Sequence, residues 1–166
     1  MSQFPEQLIA GYRSFAKQRL PAEQSRYREL SERGQSPEVM VIGCCDSRVS
    51  PEVVFDAGPG ELFVVRNVAN LVPPYAPDGA AHGVSAALEF AVQVLRVKHI
   101  VVLGHAQCGG IKALAQDTAP LSPGDFIGKW MSILEPTRDE TERHEHESND
   151  AYASRLEKRA VLTSLQ

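Results

Sequence analysis

Two short stretches of this sequence concentrate thiol, imidazole, carboxylate and guanidinium groups. The first, "CCDSR", contains Cys44, Asp46 and Arg48, and the second, "HAQCGG", contains His105 and Cys108. Thiolate and imidazole are ligands that zinc prefers, whereas magnesium and calcium select oxygen. The pattern predicts a zinc ion held by two cysteines and one histidine, with an aspartate oxygen or a water as the fourth ligand.

An arginine two residues after the aspartate favours a catalytic metal site over a structural one. Arg48 can hold the carboxylate of Asp46 through a bidentate ion pair and so compete with the metal for that carboxylate. The fourth position of the zinc would then be open to water, whose pKa zinc lowers to about 7. The residues therefore indicate a zinc-bound hydroxide nucleophile, and a closed structural zinc site is the alternative.

Both stretches follow apolar runs of the kind that form buried strands. Val39 to Ile42 precede the first stretch, "ELFVVRN" (61–67) comes next, and "HIVVLGH" (99–105) leads into the second. Residues 82–98 have the apolar periodicity of a helix. Alternating strands and helices predict an α/β fold with a central, mainly parallel β-sheet flanked by helices. In such sheets, functional groups gather beyond the carboxyl ends of the strands.

Helical periodicity also occurs towards both ends of the chain. Residues 1–33 predict an N-terminal helical arm with one apolar stripe. Residues 123–136 indicate a short amphipathic helix, residues 137–150 a polar loop, and residues 151–166 a further helix. The arm has little core of its own.

Length and composition are those of one ordinary globular domain. The 166 residues are 43% hydrophobic, which is enough for a single core. We predict one domain over residues 1–166, made of the arm (1–33), a zinc-site core (35–115) and C-terminal helices (123–166).

The charge and the cysteine content limit the partners, the compartment and the use of the cysteines that we expect for this protein. The formal net charge of −4 offers no basic surface for nucleic acid, and no apolar stretch is long enough for a membrane span. Three cysteines, without a secretion signal, argue against a disulfide framework. We therefore expect a cytoplasmic protein without a nucleic-acid or membrane partner, whose cysteines serve metal binding or catalysis.

Taken together, these motifs give the sequence a resemblance to the β-class carbonic anhydrases, in particular to their plant-like branch. The resemblance rests on "CCDSR", "HAQCGG" and the intervening "PGELFVVRNVANLVPPY", and it extends from about Gln35 to Ala115. It implies an enzyme that reversibly hydrates carbon dioxide to bicarbonate and a proton. It also implies zinc bound by Cys44, His105 and Cys108, with Asp46 as fourth ligand or as the partner of Arg48.

The same resemblance implies which residues meet the substrate. Gln35 corresponds to a hydrogen-bond donor of the family, and Phe63, Val68 and Phe90 correspond to the lining of its narrow apolar pocket. Gly109, directly after the second cysteine, allows close approach to the backbone and is a further candidate. The family implies a homodimer or a higher homo-oligomer, with pocket residues shared across the interface and the arm embracing the partner.

Two alternatives stay open. A related zinc hydrolase acting on carbon disulfide would carry the same motifs. The family pattern also continues beyond "VLTSLQ" with an edge strand and a terminal helix, which this sequence does not show. A truncated homologue that acts only as a zinc-binding module is therefore the second alternative.

Overall fold

The computed structural model of the chain describes residues 4–116 and 119–166. Its contacts divide the chain into two compact units, of which the first ends at Ser36 and the second begins at Pro37. Residues 1–3 of the predicted arm lie outside the described residues. The prediction of one domain over the whole chain stays a prediction.

The first unit is helical, as the sequence predicts for the arm. It consists of α1 (Glu6–Ser14), a π-helical stretch (Phe15–Arg19), α2 (Leu20–Ala22) and α3 (Gln24–Arg33). The rings of Phe15 and Tyr27 meet edge to face, with their centroids 6.0 Å apart. Helix α3 ends where Gly34 takes a φ of 78° and a ψ of −175°, a conformation that is open to glycine and strained for a residue with a Cβ.

The second unit is built on three parallel strands, which confirms the predicted α/β fold. These strands are β1 (Val39–Cys44), β2 (Leu62–Asn67) and β3 (His99–Leu103), in the spatial order β2-β1-β3. Met40, Val41 and Ile42 are at most 1% exposed, as expected of a central strand covered on both faces. Because β1 and β3 are neighbours, the two metal-binding stretches leave the sheet side by side.

Helices follow and flank the strands. They are α4 (Pro51–Val54), α5 (Gly83–Glu89) with a π-helical continuation (Phe90–Leu95), α6 (Gly109–Gln116), α7 (Phe126–Met131), α8 (Glu135–Asp139) and α9 (Asn149–Thr163). Single 3₁₀ turns span Val68–Asn70 and Ser132–Leu134. Among the described helices, none is long and apolar enough to cross a membrane.

Two of these helices differ from the sequence predictions. Helix α4 was not predicted, and α8 includes residues 137–139, which we expected to begin a polar loop. Both have a proline in their first turn, where its fixed φ favours a helix and its missing N–H costs nothing. They are short enough that apolar periodicity cannot reveal them.

Buried apolar side chains form two clusters. The smaller one joins β1 to α5 and contains Met40, Ile42 and Ala91, with Phe63, Val65, Val72, Ala87, Leu88 and Val97 packed against it. The larger one contains Cys44, Ala69, Leu71, Cys108, Ile111, Leu114, Met131, Leu134, Tyr152, Leu156 and Ala160. Both predicted cysteine ligands therefore belong to the larger core, at the carboxyl ends of the strands.

Candidate metal centre

Cys44, His105 and Cys108 converge at the carboxyl end of the sheet. One ligand atom of each residue lies within 4.8 Å of the other two. Cys44 is the last residue of β1, His105 follows β3 by two residues, and Cys108 directly precedes α6. Both cysteines are buried, with exposed fractions of 5% and 2%. The pairing of β1 with β3 thus brings together ligands that are about sixty residues apart in the sequence.

The hydrogen bonding of His105 leaves one ring nitrogen available to a metal. Its Nδ1 lies 2.9 Å from the carbonyl oxygen of Ala106. A carbonyl only accepts, so Nδ1 carries the proton, and in the neutral imidazole Nε2 then carries the lone pair. Nε2 is buried and has no hydrogen-bond partner among the described residues. A buried imidazole nitrogen without a hydrogen-bond partner, next to two thiols, fits the role of a metal ligand.

The two thiols complete a donor set that fits zinc. Burial, together with the neighbouring Cys44, raises the pKa of the Cys108 thiol above its ordinary value. A cation at this point reverses that preference, because a coordinated thiol loses its proton. Two sulfurs and one imidazole nitrogen are a common zinc donor set that leaves one tetrahedral position open.

Asp46 is paired with Arg48 and is not part of the cluster of three ligands. Oδ1 of the carboxylate accepts hydrogen bonds from the backbone N–H and the Nε of Arg48, each at 2.9 Å, and Oδ2 accepts one from Nη2 at 2.8 Å. These hydrogen bonds hold the pKa of Asp46 far below its usual range, so the carboxylate is ionised. The structure therefore shows the ion pair that the sequence allows, and the role of Asp46 as fourth ligand stays a prediction.

Arg66, on β2, holds the backbone of the first stretch. Its Nε donates to the carbonyl oxygen of Cys44 at 2.8 Å, and its Nη2 donates to that of Asp46 at 2.7 Å. We did not predict this contact, because a strand-end arginine is at least as readily interpreted as the partner of a carboxylate. An arginine within the apolar run "LFVVRN" was the available indication.

The second stretch is held at the peptide group between Gln107 and Cys108. The carbonyl oxygen of Gln107 accepts from Nη2 of Arg48 at 3.1 Å, and the N–H of Cys108 donates to Oε1 of Glu157 at 2.9 Å. Gln107 has a φ of 58°, in the left-handed region. Glu157 was not predicted, because a glutamate on a helix 49 residues away has no local sequence pattern that marks it.

The predicted pocket residues separate into two groups. The rings of Phe63 and Phe90 pack together with their centroids 5.9 Å apart, beside the smaller core cluster. Phe63 pairs with Met40, whereas Cys44 pairs with Asn67, so Phe63 lies roughly 13 Å along the strand from the level of Cys44. Val68 instead lies near the level of Cys44, because it directly follows Asn67, the last residue of β2. Its carbonyl oxygen accepts a hydrogen bond from Nε1 of Trp130 at 2.8 Å.

The remaining candidates are Gly109 and Gln35. Gly109 begins α6, and among the described residues nothing lies within 4 Å of the position that a Cβ would take. At the neighbouring Gly110 a Cβ would lie 2.8 Å from Cγ1 of Val68, so this second glycine is needed for close packing. Gln35 belongs to the first unit, and its part in substrate binding stays a prediction.

Comparisons with known sequences identify a family that the chain matches. A sequence model of the carbonic anhydrase family matches residues 39–166. A carbonic anhydrase of Pseudomonas aeruginosa is 39% identical over 158 residues, which are 95% of this chain and 70% of that protein. Beta carbonic anhydrase 3 of Arabidopsis thaliana is 38% identical over 165 residues, 96% of this chain. The chain spans 62% of the length of this plant relative.

Solved structures share the fold. The β-carbonic anhydrase CcaA superposes with a TM-score of 0.88 at 30% identity, over 96% of this chain and 77% of that chain. A β-carbonic anhydrase of Sordaria macrospora, described as tetrameric, superposes with a TM-score of 0.74 at 29% identity, over 92% and 74% of the two chains.

Proposed function

The chain belongs to the β-class carbonic anhydrase family, and from that premise we propose that it catalyses the reversible hydration of carbon dioxide to bicarbonate and a proton. One observation carries the proposal. A lone-pair nitrogen of His105 meets two buried thiols beside an aspartate that is already held by an arginine. A structural zinc site needs no such ion pair, whereas a catalytic one uses it to keep a position open.

We assign the metal as zinc, held by Cys44, His105 and Cys108. When bound, zinc lowers the pKa of a coordinated water to about 7 and so supplies a hydroxide nucleophile at neutral pH. Burial of both cysteines supports a firmly held ion, because water has little access to the sulfur atoms. The donor set supports zinc over the harder cations magnesium and calcium.

Asp46 and Arg48 are the catalytic residues of the proposal. An ionised carboxylate is an acceptor, so Asp46 can take a hydrogen bond from the attacking hydroxyl and orient its lone pair towards carbon dioxide. Arg48 contacts both oxygens of that carboxylate and thereby keeps it in one orientation. Arg48 also holds the carboxylate away from the metal, so that the fourth position stays open.

We propose that the substrate pocket is completed by a second copy of the chain. Phe63 lies far from the level of Cys44 along the strand pair, and Phe90 packs against Phe63, which supports their serving the metal centre of a partner copy. The arm exposes Phe4, Leu8 and Tyr12, an apolar surface suited to a subunit interface. A homodimer or a larger assembly follows, consistent with the tetrameric relative.

We expect the protein to work in the cytoplasm. All three cysteines are free, and two of them are proposed metal ligands that oxidation would inactivate. A reducing compartment keeps such thiols available.

Carbon dioxide hydration by the zinc-loaded chain, followed with a pH indicator in a stopped-flow instrument, tests the proposal. We expect a rate well above that of buffer and one zinc per chain. Cys44→Ala removes a ligand and is expected to lose both zinc and activity. Cys45→Ala is the matched control, since this neighbouring thiol is exposed and outside the cluster, and we expect it to retain both.

Two outcomes would contradict the proposal. Zinc retained in Cys44→Ala would refute the ligand assignment. Stoichiometric zinc with hydration at the buffer rate would refute the activity and favour the zinc-binding module, and a parallel assay with carbon disulfide would then test the related hydrolase.

A further inference from the structure

One peptide group next to the metal centre is held from both sides by charged side chains. The C=O of Gln107 and the N–H of Cys108 belong to this group, and in a trans peptide they point in opposite directions. Arg48 donates to the oxygen, and Glu157 accepts from the nitrogen. The two side chains come from residues 59 and 49 positions away in the sequence, so the folded chain, not the local sequence, brings them there.

The loop that they hold needs such restraint. Two residues separate His105 from Cys108, and one of them, Gln107, has a φ of 58°. A residue with a Cβ is strained in this left-handed region and stays there only if its surroundings fix it. If Gln107 returned to a right-handed conformation, the next peptide group would turn and the Cys108 sulfur would leave its place beside His105.

The charges are placed to strengthen both hydrogen bonds. A guanidinium cation contacts the carbonyl oxygen and a carboxylate contacts the N–H, so both bonds are charge-assisted and polarise the peptide in the same sense. Glu157 stands on α9, which is anchored in the larger core by Tyr152, Leu156 and Ala160. Its carboxylate is therefore presented from a rigid element.

We propose that Glu157 is a positioning residue for the metal centre. From α9 it fixes the peptide group before Cys108 and so sets the direction from which the Cys108 sulfur approaches the metal. Arg48 opposes it from the other side of the same peptide while pairing with Asp46. This inference rests on the proposed zinc site, and Glu157 itself contacts the backbone of a ligand and not the metal.

The test compares three substitutions of Glu157 in the full chain. Zinc affinity is measured by competition with a chelator, and the visible absorption of the cobalt(II)-loaded protein reports coordination geometry. We expect Glu157→Ala to weaken zinc binding by roughly tenfold or more, as loss of such outer contacts does elsewhere, and to change the cobalt spectrum. Glu157→Gln keeps an acceptor oxygen at the same reach and should restore most of both.

Glu157→Asp tests whether the position of the carboxylate matters as well as its charge. It keeps the carboxylate but shortens the side chain by one methylene, so it cannot span the 2.9 Å contact from the same helix. We expect it to resemble Glu157→Ala, and it serves in place of that variant if Glu157→Ala does not fold. Lys158→Ala, at an exposed position on the same helix, is the matched control and should leave affinity and spectrum unchanged.

Three results would overturn the inference. They are a Glu157→Ala protein with wild-type affinity and cobalt spectrum, a Glu157→Asp protein indistinguishable from wild type, and a Glu157→Gln protein as impaired as Glu157→Ala. Failure of the proposed function is recognised separately. A wild-type chain that binds zinc but does not hydrate carbon dioxide refutes the activity, while affinity and spectrum still decide the role of Glu157.

Discussion

Arg48 contacts the chain on both sides of the candidate metal centre. It pairs with Asp46, which follows β1, and donates to the carbonyl of Gln107, which follows β3. A guanidinium has five N–H donors in a fixed planar arrangement and can make these contacts at once, whereas a lysine ammonium cannot match a carboxylate with two parallel bonds. The residue that pairs with Asp46 therefore also links the two loops that carry the proposed metal ligands.

Asp46→Asn tests the catalytic role at the level of one side chain. The amide group retains one acceptor oxygen but faces Arg48 with an NH₂, so the bidentate pair is lost. We expect the variant to retain zinc and to hydrate carbon dioxide at least roughly tenfold more slowly. Metal analysis and stopped-flow hydration on the same preparation measure both quantities. Unchanged turnover would contradict a role for the Asp46–Arg48 pair in catalysis.

The residue types alone predicted the three residues of the metal cluster, but not the side chains that hold the backbone around them. Thiol and imidazole side chains have few uses at strand ends, so Cys44, His105 and Cys108 could be identified from the sequence, and the structure brings them together. Arg66 and Glu157 act on backbone carbonyl and N–H groups, which every residue carries. Such contacts depend on the tertiary fold, and no residue pattern along the chain indicates them.

At the scale of elements, α9 contacts both ends of the loop between β3 and α6. Glu157 accepts from the residue that precedes α6, and Val161 packs against Gly104, which precedes His105. A further ion pair joins Lys112 of α6 to Asp150 of α9 at 3.0 Å. Displacement of α9 should therefore disturb the whole of this loop.

Gly104→Ala tests the packing of α9 against the end of β3. The added Cβ would lie 2.5 Å from Cγ2 of Val161, closer than real contacts allow, so the helix or the strand end must shift. We expect the free energy of unfolding in urea to fall by about 1–3 kcal/mol. Gly83→Ala is the control, because no described residue outside its chain neighbours and its own helix backbone lies within 4 Å of its Cβ position. Equal stability of the two variants would show that the contact is relieved without cost.

Glu147→Gln tests how the polar segment before α9 is attached. Glu147 is 8% exposed and accepts from Nε and Nη2 of Arg155, both at 2.8 Å. Hydrogen bonds from Arg155 lower the pKa of Glu147 from 4.5 to about 2. A lowered folded-state pKa stabilises the protein above the unfolded-state pKa, and that stabilisation is lost as the pH falls from 4.5 to about 2.

We expect the difference in free energy of unfolding between wild type and Glu147→Gln to depend on pH. Wild type should exceed Glu147→Gln in free energy of unfolding above pH 4.5, and the difference should shrink towards zero near pH 2. Metal loss in acid affects both proteins and cancels in the difference. Glu145→Gln, at a side chain that is 90% exposed, should match wild type throughout. A gap that does not change with pH would exclude the ion pair as its cause.

Most elements could be predicted, because apolar periodicity is strong where a strand or helix covers a core. The three strands and the helix from Gly83 to Leu95 are examples. Helices α4 and α8 have four and five residues, less than two turns, and proline was their main sequence mark. The sequence did not predict the strand order. It indicated only that the metal ligands could meet if β1 and β3 were neighbours, and in the structure they are.

At the scale of the whole molecule, the proposed pocket requires residues from two copies. A hybrid experiment tests this. His105→Ala removes the metal but keeps Phe90, and Phe90→Arg puts a charge in the apolar pocket but keeps the metal. If Phe90 serves the partner's metal centre, a mixed dimer has one intact site.

Mixing the two inactive variants after dissociation should therefore restore activity. Random pairing predicts recovery of about a quarter of the wild-type rate, since half of the dimers are mixed and each has one intact site. Differently tagged copies show by co-purification that mixed dimers have formed. Mixed dimers without activity would place Phe90 in the pocket of its own chain.

The contrast between Cys45 and its two buried counterparts gives the protein an internal chemical reporter. In the folded state, the thiol of Cys45 is exposed, while those of Cys44 and Cys108 are buried. An alkylating reagent should therefore modify one cysteine per native chain and all three after chelation and denaturation, as counted by intact mass. The time course of the second and third modifications then measures how often the metal centre opens, without any substrate.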